Sequence, residues 1–120
     1  MCIIITMINQ LRIYQIEPSL KAEFDTRFKD HACRIMKSYG FEIEAMWYSE
    51  YEGATEFVYI LNWSNEETMH KQWQAFMSDI EWENIKKESR ELHGEMVLKK
   101  VCDRTLKPTD WFNNLYSTKI

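Results

Sequence analysis

The stretch FEIEAMWYSEYEGATEFVYILNW, residues 41–63, decides the architecture. Up to Tyr51 it alternates Phe41, Ile43, Ala45 and Trp47 with Glu42, Glu44, Met46 and Tyr48, the period of two that belongs to a strand. The connection EGAT, residues 52–55, then turns the chain into a second strand. There Val58 and Ile60 point one way and Phe57, Tyr59, Leu61 and Trp63 the other. Two strands joined so closely read as an antiparallel hairpin. Both faces of the second strand are apolar, so both need cover.

Upstream of the hairpin, LRIYQIE (11–17) is a further strand, with Leu11 and Ile13 on one face and Arg12, Tyr14 and Ile16 on the other. An arginine on a face that also carries an isoleucine is neither ordinary core nor ordinary surface. Pro18 suits the first turn of a helix, where its missing N–H costs nothing. Leu20, Phe24, Phe28, Ala32, Ile35 and Tyr39 then recur at helical spacing, with His31 on the same stripe and Gly40 as the stop. Downstream, SNEETMHKQWQAFM (64–77) offers Ser64 and Asn65 as N-caps, Glu66 and Glu67 to the helix dipole, and Met69, Trp73, Phe76 and Met77 as its apolar stripe. Asp79 breaks the run before a shorter helix, EWENIKKESRELHG (81–94), with Trp82, Ile85, Ser89 and Leu92 on one face. EMVLKKVCDR (95–104) is a closing strand.

The order strand, helix, strand, strand, helix, strand implies an α+β, ferredoxin-like βαββαβ domain, with helices packed on one face of an antiparallel sheet. Leu11, Ile13, Val58 and Ile60 are expected under the helices. Arg12, Tyr14, Phe57, Tyr59, Leu61 and Trp63 are then left on the far face. A far face so aromatic calls for a partner sheet. The expected organisation is an N-terminal extension over residues 1–8, the domain over 9–104, and a tail over 105–120. The tail is expected to pack on the barrel or a partner subunit, because Trp111, Phe112, Leu115 and Tyr116 are costly to leave in water.

With 120 residues the chain makes one domain with a real core. A net charge of −4, and adjacent basic pairs only at Lys86-Lys87 and Lys99-Lys100, argue against nucleic acid and anionic membrane as partners. MCIIIT at the start is too short for a signal sequence or a membrane span. Three widely spaced cysteines form neither a disulfide framework nor a zinc motif, which points to a reducing, cytoplasmic setting. Five Trp, six Tyr and six Phe are many for this length, and some are expected to line a pocket.

Taken in order, LRIYQIEP, HACRIMKSYGFEIEAMW, EFVYILNW, WQAFMSDIEWENIKKES and DRTLKPTDW resemble the NIPSNAP family of the dimeric α+β barrel superfamily, over roughly residues 9–111. The resemblance implies a homodimer whose sheets meet face to face, with a cavity in each subunit between the sheet and its helices or loops. It does not choose a reaction, since the superfamily spans cofactor-independent monooxygenases, cyclases and haem enzymes. MCIIIT and the terminal YSTKI depart from the family pattern.

Arg12 is suited to hold a carboxylate or enolate oxygen with Tyr14 as a second donor, or else to pair with Glu42, Glu44 or an acid near the C terminus. His31 is a candidate general base, or else a core histidine satisfied by one hydrogen bond; the family resemblance includes a histidine in this region. These three are the catalytic candidates. Tyr59 and Trp63, then Trp47, Tyr48, Trp73, Phe76 and Trp82, are the candidate substrate-binding aromatics, weighed against core and interface roles. There is no HExxH, GxSxG or phosphate-cradling glycine run, so neither a metal nor a cofactor is expected, with haem on His31 or His70 as the outlying alternative. The leading expectation is a homodimer that binds a small, partly apolar or aromatic molecule and acts on it by proton transfer or oxygenation. The competing one is a non-catalytic interaction or stability protein.

Overall fold

In a computed structural model, which describes residues 7–112, four strands form one antiparallel sheet in the order β2-β3-β1-β4. They are β1 (Ile8–Ile16), β2 (Glu42–Tyr51), β3 (Ala54–Trp63) and β4 (Val97–Leu106). The first crossover is a continuous helical run: a 3-10 turn over Pro18–Leu20, α1 (Lys21–Arg27), a π turn over Phe28–Ala32, and α2 (Cys33–Ser38). The second comprises α3 (Glu66–Met77) and α4 (Ile80–His93). This is the ferredoxin-like βαββαβ arrangement with all strand pairs antiparallel.

Local signals explain the boundaries. Glu17 accepts the Ser19 N–H ahead of Pro18. Gly40, at φ 82°, lets the Phe41 N–H return to the Met36 carbonyl and close α2. Asn65 caps α3 by accepting the Thr68 N–H at 2.7 Å, and Asp79 caps α4 by accepting the Trp82 N–H at 2.8 Å. Contrary to the sequence expectation, α4 is the longer of the two, 14 residues against 12. Its first turn starts directly after the Asp79 cap.

The face that meets the helices is the opposite of the expected one. Phe57, Tyr59, Leu61 and Trp63 are buried beneath them, in register with the β1 row Ile8, Gln10, Arg12, Tyr14 and Ile16. Phe28 packs at a tilt against Phe57 at 4.9 Å and edge-on against Tyr59 at 5.5 Å between ring centroids, and Phe41 meets Trp63 at 4.8 Å. Each large side chain contributes about 1.5–3 kcal/mol when fully buried, so the row of four on β3 outweighs the pair Val58 and Ile60. Leu11, Ile13, Val58 and Ile60 accordingly lie on the uncovered face, with Trp47 beside Val58 at 48% exposure.

Trp111 and Phe112 are each about half exposed. The other two tail aromatics and apolars expected to be covered, Leu115 and Tyr116, fall outside the described residues, as do residues 1–6.

Candidate functional site

Three polar residues of β1 project two apart beneath the helices. Arg12 is at the centre, with Tyr59 of β3 opposite it on one side and Asp103 of β4 on the other. Its side chain is only 11% exposed. Nη1 donates to Asp103 at 2.7 Å, Nη2 donates to the Tyr14 hydroxyl at 2.6 Å, and Nε is shared between the Tyr14 and Tyr59 hydroxyls at 3.2 Å each. The two phenol oxygens are 2.7 Å apart. One face of the guanidinium lies over the Trp73 ring at 4.2 Å.

Gln10 fixes the other end. Its amide nitrogen donates to Asp103 at 2.7 Å, and its carbonyl oxygen accepts from both indoles, Trp63 at 2.9 Å and Trp73 at 2.7 Å. The ring under Arg12 and the acid beside it are therefore held by one amide. A network whose members are mutually oriented in this way is pre-organised.

Electrostatics follow from this geometry. Burial opposes the Arg12 charge, but the Tyr14 and Tyr59 hydroxyls and Asp103 outweigh it, and the guanidinium pKa stands above its ordinary value. Burial pushes the Tyr59 hydroxyl well above the usual phenol range, Tyr14 adds to this, and Arg12 opposes it. Both groups keep their protons at neutral pH.

Beside this network is a cavity of about 140 Å³, lined by Arg12 and Tyr14 from the sheet, Phe28 from the π turn, Trp73 and Phe76 from α3, and Trp82 from α4. Arg27 and Lys86 also reach its wall, and among the described residues no carboxylate does. Burial lowers the Arg27 pKa, against the pull of Glu95, and its Nη1 donates to Ser89 at 2.8 Å. On the other side of Arg12 and Trp73 is a second pocket of about 340 Å³, where Gln10, His70, Lys100 and Asp103 contribute. Trp73 and Met77 belong to both walls. The arrangement can bind an anionic oxygen in an aromatic setting and donate hydrogen bonds to it.

Arg12, Tyr14, Tyr59, Trp73, Phe76 and Trp82 are thus brought together at one place. Trp63 is buried next to it and reaches it through Gln10. Tyr48 does not line the cavity: its ring meets Phe57 at 5.5 Å and Lys21 at 4.3 Å, and its hydroxyl is bonded to Asp25. Trp47 is on the uncovered face of the sheet. His31 does not join Arg12: it lines a groove of about 430 Å³ between α1 and α4, with its Nδ1 3.3 Å from Arg34. The π turn explains this, because the extra residue in that turn swings His31 off the stripe that continues through Ala32, Ile35 and Met36.

Gln10 and Asp103 are missing from the sequence-based candidates. Gln10 had a signal, two residues before Arg12 and in phase with it on a buried face. Asp103 falls within the acid near the C terminus offered as a partner for Arg12, but only the β1–β4 register singles it out. Among the described residues, no group of three His, Cys, Asp or Glu side chains is placed to hold a metal ion.

A NIPSNAP-like domain protein from Burkholderia xenovorans superposes with a TM-score of 0.75 at 16% identity over 90% of both chains. A NIPSNAP family protein of unknown function from Agrobacterium tumefaciens gives 0.73 at 19%, over 88% of this chain and 90% of that one. A Streptomyces coelicolor monooxygenase, solved with the ligand nanaomycin D, shares the fold more distantly, with 0.54 at 9% over 88% of each chain. No curated protein matches the chain. The NIPSNAP family profile matches residues 9–112, nearly the whole of the folded domain, and the chain belongs to the NIPSNAP family.

Proposed function

We propose that this protein is a homodimeric α+β barrel that binds a small, partly apolar or aromatic molecule in the cavity beside Arg12 and acts on it through the chain's own side chains. The carrying observation is the Arg12 guanidinium, held at 11% exposure against Trp73 and two phenols and opening on an aromatic cavity. A surface ion pair does not need this enclosure. Arg12 holds an anionic or developing negative oxygen, Tyr14 with Tyr59 behind it moves or shares a proton, and Trp73, Phe76 and Trp82 position the body. The reaction class these roles suit is proton transfer, or oxygenation of an anionic substrate. The distant monooxygenase shares only the fold, which does not choose between them.

The dimer is built through the uncovered sheet face, where Leu11, Ile13, Val58, Ile60 and Trp47 form an apolar surface. Its compartment is a reducing one, the cytoplasm, in keeping with free thiols at Cys33 and Cys102. Among the described residues no helix is long and apolar enough to cross a membrane.

Mass spectrometry of molecules that co-purify with the protein tests the reading. The wild type is expected to retain a small molecule that Arg12→Ala loses and Arg12→Lys keeps in part, with circular dichroism unchanged. Equal retention by Arg12→Ala removes Arg12 from the site. The specific bond to Asp103 favours a second reading, in which the Arg12–Asp103 pair only locks β4 to β1 in a non-catalytic protein. A variant that keeps every ligand but melts early supports that one.

A further inference from the structure

The network around Arg12 holds more protons than acceptors. Tyr59 is fully buried, and its hydroxyl has two partners, the Arg12 Nε–H, which is itself a donor, and the Tyr14 oxygen. The Tyr59 proton therefore goes to Tyr14, since the alternative leaves it unbonded in the core at a cost of about 1–3 kcal/mol. Tyr14 then already accepts from Tyr59 and from Arg12, and its own O–H has no acceptor among the described residues. Tyr14 lines the cavity, so that is where its hydrogen is free to point. Of the five guanidinium N–H bonds of Arg12, one on each terminal nitrogen likewise lacks an acceptor among the described residues.

The walls say what would complete this count. Among the described residues, Arg12, Arg27 and Lys86 are cations and the remaining lining is apolar or aromatic apart from Tyr14. Arg27 and Lys86 lie over the Trp82 ring at 5.7 and 5.8 Å. Lys86 is paired with Glu83 at 2.9 Å and Arg12 with Asp103 at 2.7 Å, whereas Arg27 bonds the neutral Ser89. The Arg27 charge is therefore the one at this aromatic slot not held in a salt bridge among the described residues. A volume of about 140 Å³ suits one six-membered ring, because an apolar cavity of about 150 Å³ takes a single benzene.

We propose that this cavity takes a single-ring organic anion, whose carboxylate oxygen accepts the Tyr14 O–H beside Arg12 and whose ring packs against Trp73, Phe76 and Trp82. The proposal rests on the reading of the cavity as the ligand site and adds the charge and size of its occupant. The Tyr14 hydroxyl is a specificity determinant in it, since it donates to an anion and rejects a cation.

Isothermal titration of the full-length protein with benzoate, toluene and benzylamine at neutral pH tests it. Benzoate is expected to bind at least tenfold tighter than toluene, to compete with toluene for one site and to quench tryptophan fluorescence, while benzylamine does not bind. Tyr14→Phe is expected to weaken benzoate about tenfold and to leave toluene unchanged. If toluene binds as well as benzoate, if benzylamine binds better, or if Tyr14→Phe leaves benzoate untouched, the anion assignment is overturned while the cavity remains a ligand site. If none of the three binds, the reading of the cavity itself fails. The order of the three affinities on the wild type decides the matter even where the variant folds poorly.

Discussion

Gln10 shows how much of the site depends on a residue that performs no chemistry. One amide satisfies two indole N–H groups and one carboxylate oxygen, and through them it sets both the ring beneath Arg12 and the acid beside it. Replacing it with leucine keeps the volume and leaves both indoles unpaired, one of them on the buried Trp63. We expect Gln10→Leu to cost about 3 kcal/mol in urea unfolding, because each stranded buried donor costs about 1–3 kcal/mol. A loss under about 0.5 kcal/mol would mean that the indoles find other acceptors. At this scale the sequence was legible for Arg12 and Tyr14, whose side-by-side place on an apolar strand face is anomalous in one dimension. It offered Arg12 an acid near the C terminus without singling out Asp103, because a partner across β1–β4 is assigned by register, and register depends on two bulges in β4 pairing that no local pattern announces.

Helices and strands were largely legible as elements because each carries its own stop signals. Asp79 is the sharpest of these: it ends the α3 run, caps α4 and accepts the Tyr39 hydroxyl at 2.7 Å, tying α2 to the second crossover. The bond from Tyr39 and the cap bond from Trp82 hold its carboxyl below the usual carboxylate range, with burial opposing them. A depressed folded-state pKa means stability present above the unfolded pKa and lost as pH falls through the folded one. Asp79→Ala is therefore expected to cost about 1 kcal/mol at neutral pH. Asp79→Asn, which keeps a cap without a titrating group, should lag the wild type at neutral pH and converge with it below about pH 4 in thermal melts. A constant gap from neutral to acid pH would separate the cap from the charge. The π turn is the element the sequence hid. Regular helical spacing puts His31 on the stripe, and the one-residue irregularity that moves it away has no composition of its own.

Which sheet face meets the helices is a property of the whole molecule, and there the reading of the sequence chose the wrong row. Both rows of β3 are apolar, so alternation alone cannot orient the strand, and the choice falls to the summed volume of Phe57, Tyr59, Leu61 and Trp63 against Phe24 of α1, Phe28 of the π turn and Phe41 after α2. The reversal moves Arg12 from the space between two sheets into the space between sheet and helices. It also changes what a dimer would be made of: Leu11, Ile13, Val58, Ile60 and Trp47 rather than an aromatic row with a buried charge. The centre of this surface is apolar, with Arg104 beside Leu11 on its β4 side, whereas two copies of Arg12 pressed together would each need a counter-charge at the centre. The rim supports the same geometry, since Asn62 bonds Glu44 at 2.9 Å and Asn9 at 2.6 Å, so polar groups border the apolar centre already satisfied within one chain. Light scattering is expected to give twice the mass of the chain, and Val58→Lys with Ile60→Lys should halve it while the far-ultraviolet circular dichroism stays native. The Arg12 cavity lies on the other face of the sheet, so benzoate affinity of the monomeric variant should fall less than about threefold, the range of non-additive side effects. A wild-type chain that scatters as a monomer would leave the apolar face to some other partner and would detach the barrel from the ligand site altogether.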